Sequence, residues 1–341
     1  MHVRRVLVLA FLPLCSCSAN AVSDPPAPIA SPTPATPALE ERSAATPAWT
    51  IRELASPRGF LSITLKVPTT PEGAKPAVIN PVADEEALLR LGIVVVRYHT
   101  DWSVLSGLRR PAKPGGPDGI APRNVVGTWM LAAPRAEIVG RKYFAFIKSN
   151  ARRVLPEVID RILETGEVDS DRIGISGSST NGFIALEAMA EDSRLAAAVV
   201  RAACGEYHEF LRASSLGLNG EERWLVDGQL VLDEDYEAEL AAREPIRHAT
   251  SYPPRFLLLL NGAEDPAIPT ACVEPTVDVF RRVYEDRGVA QRFRAVIYPD
   301  RGHDLGPCAE EEALGWWRRW FAGGVPRVGS KIRSSTRCVG R

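Results

Sequence analysis

The chain has 341 residues, 45% of them hydrophobic and 24% charged, with 41 Lys and Arg against 42 Asp and Glu for a net charge of −1. That composition supports a folded core and excludes a disordered, collagen-like or multi-span membrane chain. The balanced charge offers no field to a polyanion, so nucleic acid is not an expected partner, and six cysteines with no CxxC pair and no HExxH do not organise the fold around a metal.

At the N-terminus, Arg4 and Arg5 precede the apolar run Val6 to Leu14. That run is too short to cross about 30 Å of hydrocarbon and has the form of a secretory signal. Leu14-Cys15-Ser16-Cys17 resembles the bacterial lipobox. In that motif a cysteine is lipidated and becomes the mature N-terminus, and the resemblance points to Cys17. Cleavage at a plain signal-peptidase site nearby, discarding both cysteines, is the alternative. Either route exports the protein, and the first also anchors it to a membrane. Residues 18–48 are rich in Pro and Ala and contain no aromatic, so they cannot bury enough surface to offset chain entropy and read as a linker. A globular domain is expected over 49–325. Beyond it, residues 326–341 form a tail with Arg327, Lys331, Arg333, Arg337 and Arg341, expected to be a solvated terminus.

Within the domain, Thr50 to Glu53 and Phe60 to Val67 flank Ser56-Pro57-Arg58-Gly59 and predict an antiparallel hairpin. Short continuous apolar runs follow at Ala77–Ile79, Ile93–Val96, Ile173–Ile175, Ala197–Val200, Phe256–Leu260 and Ala295–Ile297. Continuous apolarity predicts strands covered on both faces. Helical patterns fall between them at Asp84–Leu91, Ser149–Thr165, Thr180–Ala190, Glu274–Arg287 and Ala309–Phe321, with Pro275 suited to a first turn. Strands alternating with helices predict an α/β fold with a mostly parallel sheet and helices on both faces. Two stretches interrupt the alternation. Residues 100–140 are rich in Gly and Pro, and 204–250 are mostly helical; both are expected at carboxyl ends of strands, where open α/β sheets bind ligands.

Gly177-Ser178-Ser179-Thr180-Asn181-Gly182 lies between a predicted strand and a predicted helix. A dinucleotide-binding turn requires glycine where Ser179 stands, and a phosphate loop requires lysine where Phe183 stands. The remaining reading is the nucleophile elbow, G-x-S-x-G, which projects a serine from a strained strand-to-helix turn. Ser179 is then the nucleophile, and Asn181 departs from the motif's last glycine. Of the histidines, His303 follows the last predicted strand, where a loop residue reaches a serine above the sheet, and is the expected base. Asp265 follows the Phe256 strand and is the expected acid, with Glu264 in reserve. The chain order Ser179, Asp265, His303 is that of the α/β-hydrolases.

From about Ile51 to Phe321 the chain resembles the α/β-hydrolase superfamily, and within it the dienelactone-hydrolase and prolyl-oligopeptidase-like branch. Val168-Asp169-Ser170-Asp171-Arg172-Ile173-Gly174, Asn261-Gly262-Ala263-Glu264-Asp265 and Tyr298-Pro299 before Gly302-His303 carry the resemblance. It implies an α/β-hydrolase fold and a serine hydrolase that needs no cofactor and no metal. The branch usually has His-Gly after the first parallel strand, where this chain has Asn80-Pro81-Val82. Pro81 has no N–H, so the expected oxyanion donors are the N–H groups of Thr180 and Val82. A small-molecule ester or related acyl compound is the expected substrate. A prolyl-oligopeptidase-like peptidase and a lapsed hydrolase acting as a lipid-anchored binding protein are the alternatives. Tyr98, Trp102, Trp129, Tyr207 and His208 are candidate pocket residues. Cys272 and Cys308 lie shortly after Asp265 and His303, which predicts a Cys272–Cys308 disulfide holding acid and base in register and leaves Cys204 a buried free thiol.

The export reading predicts that Cys17→Ser releases mature protein to the soluble fraction or blocks its processing, because stable anchoring takes more than one lipid chain. Fractionation and mass spectrometry check it, and a membrane-bound Cys17→Ser protein of unchanged mass contradicts it.

Overall fold

The computed structural model describes residues 49–55, 61–100, 136–216, 225–226, 229–230, 232 and 234–321. The expected signal, linker and tail lie outside the described residues, as do Cys17, Trp102 and Trp129. The hairpin forms from β1 (Trp49–Ala55) and β2 (Leu61–Pro68), and β2 pairs antiparallel with β4 (Val94–Thr100). The strands β3 (Lys75–Ile79), β5 (Val168–Ser178) and β6 (Leu195–Arg201) continue the sheet in parallel. Two-residue strands β7 (Leu225–Val226) and β8 (Gln229–Leu230) pair apart from it. Strands β9 (Phe256–Gly262) and β10 (Phe293–Tyr298) complete the main sheet in the order β1-β2-β4-β3-β5-β6-β9-β10.

The apolar runs have a direct packing explanation. Alternate residues of a strand point to opposite faces, and here each face carries its own core. Ala77, Ile79, Val94, Val96, Ala198, Val200, Leu257 and Leu259 enter one cluster, while Val78, Val95, Ala197, Val199, Leu258 and Leu260 enter the other. A sheet buried on both sides leaves only its ends for chemistry.

Helices cover both faces. The helix α1 (Glu85–Arg90) starts at Asp84, whose Oδ1 accepts the N–H groups of Glu86 and Ala87 at 2.9 and 3.3 Å, satisfying two orphan donors. Next, α2 (Ala136–Ser149) falls partly within a stretch the sequence suggests is irregular. Where one helix is predicted over 149–165, a π turn, Asn150–Val154, precedes α3 (Leu155–Glu164). Pro156 accounts for the break, since its missing N–H and its ring disrupt the α-helical ladder at the preceding turn. The remaining helices are α4 (Thr180–Glu191), α5 (Tyr207–Ala213), α6 (Glu234–Ala241), α7 (Thr270–Asp286) and α8 (Gly306–Phe321). The start of α7 precedes the predicted one, so Pro275 sits inside the helix rather than at its first position. None of the described helices is long and apolar enough to cross a membrane.

The disulfide expectation is overturned. Cys272 pairs with Cys204, at a Cα–Cα distance of 5.8 Å, and Cys308 is disulfide-bonded but not to Cys272. The sheet explains the difference. Cys272 is buried in α7 on one face, whereas Leu305 and Ala309, which flank Cys308, pack into the core on the other face. Cys204 follows β6, whose neighbour β9 leads to α7, and the Gly205 N–H donates to Thr276 Oγ1 at 2.8 Å beside the bridge.

Closing a loop of this size stabilises by about 4 kcal/mol in the chain-entropy model. Replacing Cys204 and Cys272 together by Ser is therefore expected to lower the denaturation midpoint clearly. Non-reducing peptide mapping is expected to recover the linked Cys204–Cys272 pair, and recovery of a Cys272–Cys308 peptide contradicts the structure.

Candidate active site

Ser179 ends the turn from β5 to α4 with φ +57° and ψ −126°, a left-handed backbone that a residue with a side chain adopts only where the surroundings impose it. Its N–H donates to the Arg201 carbonyl on β6 at 3.0 Å, and its carbonyl accepts from Gly182 and Phe183 at 2.7 and 3.2 Å. Gly177 makes the turn possible, because a Cβ there would lie 1.9 Å from the Asn181 carbonyl oxygen. The departure at Asn181 also becomes intelligible. Asn181 is exposed, and it is Gly182 that faces the sheet, where a Cβ would lie 2.8 Å from the Ala203 Cβ and 2.9 Å from the Arg201 carbonyl oxygen.

The acid and the imidazole meet above the adjoining strand ends. Asp265, 1% exposed, follows β9, and its Oδ2 lies 2.8 Å from His303 Nδ1 in the loop after β10. Its Oδ1 accepts the N–H groups of Ala267 and Ile268 at 2.9 and 3.1 Å, which fixes the carboxylate within its own turn. Glu264 is exposed, and its backbone N–H donates to the Arg301 carbonyl at 2.9 Å. The Ala263 N–H adds a bond to the Tyr298 carbonyl at 2.9 Å. Gly262 permits this approach, since a Cβ there would lie 2.2 Å from the Arg301 carbonyl oxygen. Backbone bonds between the two loops thus do what the sequence assigns to a disulfide.

The Asp265 carboxylate holds the His303 imidazole above its usual value of 6.5, with burial and the charge of Arg201 opposing it. Among the described residues no hydrogen bond joins Ser179 Oγ to His303. Such bonds are often long in a free enzyme and tighten on substrate.

Neither the Thr180 nor the Val82 N–H has an acceptor among the described residues. The peptide that contains the Val82 N–H is gripped from its other side, where Arg97 Nη2 donates to the Pro81 carbonyl at 2.8 Å while Nε donates to Glu85 Oε1 at 2.8 Å. In a trans peptide the C=O and N–H point in opposite directions, so Arg97 turns the Val82 N–H away from itself. Nothing in the motif patterns singles out Arg97; the only sequence signal is its place in the strand beside Asn80-Pro81-Val82.

Of the pocket candidates, Tyr98 lines a cavity of about 250 Å³ together with Asn80, His99, Asn150 and Asn181. Tyr207 belongs to the hydrophobic core. It is fully buried, and its hydroxyl donates to Glu187 Oε1 at 3.0 Å in a core network with Arg243. His208 is engaged elsewhere, with Nδ1 2.6 Å from Glu244 Oε1 and Nε2 3.3 Å from Glu237. Glu206, His208 and Glu244 have potential ligand atoms within 4.8 Å of one another. Glu244, however, is taken up by the N–H groups of Tyr207 and His208 and by Arg247, and Glu206, pushed up to about 7 chiefly by burial, caps α5 through the Glu209 N–H. The group is an ion-pair cluster whose acceptors already have partners.

The model of the prolyl oligopeptidase family matches residues 154–323, which takes in the elbow and both loops but not Asn80-Pro81-Val82. No curated protein matches the sequence significantly. Among solved structures, the acylaminoacyl peptidase of Pyrococcus horikoshii is 14% identical with a TM-score of 0.53, covering 82% of this chain and 43% of its own. Acetyl xylan esterase 1 from Thermoanaerobacterium sp. JW/SL YS485 is 18% identical with a TM-score of 0.51, covering 83% of this chain and 87% of its own. The AtxE2 isopeptidase is 16% identical with a TM-score of 0.54, covering 81% and 40%. This chain therefore spans about two-fifths of the length of the two peptidases. The fold is that of the α/β-hydrolases, and the family match supports a serine hydrolase.

A base must be neutral to take a proton, so any hydrolysis through His303 falls as pH drops through a value above 6.5. Asp265→Asn removes the main cause of the raised value. Its acid limb in kcat/KM is expected at lower pH, with turnover reduced by roughly 10³–10⁴ because the tautomer is no longer fixed. A limb that stays in place contradicts the pairing.

Proposed function

We propose that the protein is an exported serine hydrolase that cleaves an ester or related acyl bond by way of an acyl-enzyme. The observation that carries this reading is a strained Ser179 after β5, the bonded pair Asp265–His303 after β9 and β10 of the same sheet, and the Thr180 and Val82 N–H groups, which have no acceptor among the described residues. In the proposed reaction Ser179 Oγ attacks the acyl carbon and His303 Nε2 takes its proton, while the oxygen, now charged, is held by the N–H groups of Thr180 and Val82. His303 then hands the proton to the leaving alcohol as the acyl–oxygen bond breaks. Water, deprotonated in the same way, releases the acid.

Two features bear on substrate and donor. Solved structures that share this fold include both an acetyl xylan esterase and peptidases, and an ester is the substrate class proposed here. Pro81 removes one customary oxyanion donor, worth roughly 10²–10³ in turnover where it is lost. The Val82 N–H, without an acceptor among the described residues and oriented through Arg97, takes its place in this proposal. Export with lipidation at Cys17 would put the hydrolase at a membrane surface.

A fluorophosphonate probe is expected to label the wild-type protein and not Ser179→Ala, and chromogenic short-chain esters are expected to turn over faster than aminoacyl-anilides. Faster anilide cleavage would make it a peptidase. Folded wild-type protein that takes no label would leave a binding protein on a lapsed hydrolase fold.

A further inference from the structure

Arg201, the last residue of β6, is poorly partnered among the described residues near the site. Its side chain is only 12% exposed, yet Nη1 makes a single long contact, 3.5 Å to the Val82 carbonyl, and lies 3.9 Å from the half-exposed Glu310 carboxylate. The buried Nε has no partner, and Nη2 makes no hydrogen bond among the described residues. A guanidinium has five donors, and a largely desolvated one is normally paired with an anion. The surroundings are those of the reaction. The Arg201 carbonyl accepts the Ser179 N–H at 3.0 Å, Val82 is the proposed oxyanion donor, and the guanidinium charge reaches both His303 and Tyr298.

We propose that Arg201 recognises a carboxylate on the substrate, within a few bonds of the carbonyl that Ser179 attacks. The planar guanidinium suits a carboxylate through its outer nitrogens, and displacing a 3.5 Å carbonyl contact and a 3.9 Å ion pair sacrifices little. The proposal rests on the serine-hydrolase reading and narrows its substrate to half-esters or esters of acid-bearing alcohols. Both sources share this chemistry, because Arg201 adjoins the oxyanion loop on one side and the leaving-group base on the other.

Two ester pairs test it: 4-nitrophenyl hemisuccinate against 4-nitrophenyl butyrate for a charge on the acyl half, and 4-acetoxybenzoate against phenyl acetate for a charge on the alcohol half. In one pair the wild type is expected to favour the anion by about tenfold or more in kcat/KM, consistent with a charged hydrogen bond. Arg201→Gln is expected to abolish that preference and Arg201→Lys to retain part of it, the readout being the ratio of charged to neutral ester within each variant. A ratio unchanged in Arg201→Gln overturns the proposal. So does an equal loss on charged and neutral esters, which would make Arg201 a general stabiliser of the oxyanion. Calorimetry on the Ser179→Ala protein separates this from the hydrolase reading. Monomethyl succinate or 4-acetoxybenzoate is expected to bind, and to bind at least about tenfold more weakly when Arg201→Gln is added. Absent or unchanged binding overturns the carboxylate site whatever the fate of Ser179. If Arg201→Gln does not fold, Arg201→Lys and loss of the wild-type preference in high salt decide in its place.

Discussion

The geometry of the site hangs on one forbidden atom. Gly177 has no Cβ, and with one the Asn181 carbonyl could not stand where it does. Because it can, the chain turns from β5 into α4 within a few residues, and Ser179 is driven to φ +57° at the rim of the sheet. The strain has local support. The Ser179 N–H is tied to β6 through the Arg201 carbonyl, and its own carbonyl starts the helix. Gly182 then lets α4 lie against β6, so the role of the motif's last glycine passes to the next position and Asn181 is free to face outward.

A second close approach, at Gly262, brings the acid and histidine loops together. Three contacts then hold them: Ala263 to Tyr298, Glu264 to Arg301, and Asp265 to His303. The Cys204–Cys272 bridge sits on the opposite face from α8 and fastens the segment after β6 to α7. It braces the base of the acid loop, since Asp265 leads directly into α7, without touching the histidine.

The fold was legible because both cores leave a simple trace: a strand feeding two apolar clusters has no polar alternate, and Ala77–Ile79, Ile93–Val96 and Phe256–Leu260 show it. The residues of the triad candidate were legible because each follows such a strand. What the sequence hid was set by contacts between distant segments. The pairing of Cys204 with Cys272 depends on which face each helix covers, and proximity to Asp265 and His303 in the chain says nothing of faces. Tyr207 looked like a pocket aromatic, but its hydroxyl is held by Glu187, twenty residues away and on another helix. Arg97 and Arg201 belong to no motif: Arg97 matters through the Pro81 carbonyl that it meets, and Arg201 through the acceptors it lacks among the described residues. The π turn before Pro156 breaks a pattern whose apolar spacing remains helical.

In the proposed hydrolase the Thr180 and Val82 N–H groups flank the point at which Ser179 meets an acyl carbon, with His303 alongside. A crystal structure of the protein covalently phosphonylated at Ser179 tests it most directly. The phosphonyl oxygen is expected within about 3 Å of both nitrogens and His303 Nε2 within hydrogen-bond reach of Ser179 Oγ, with Arg97 still bonded to the Pro81 carbonyl. A phosphonyl oxygen turned to solvent, or a Val82 N–H pointing away from it, would rule out this oxyanion site.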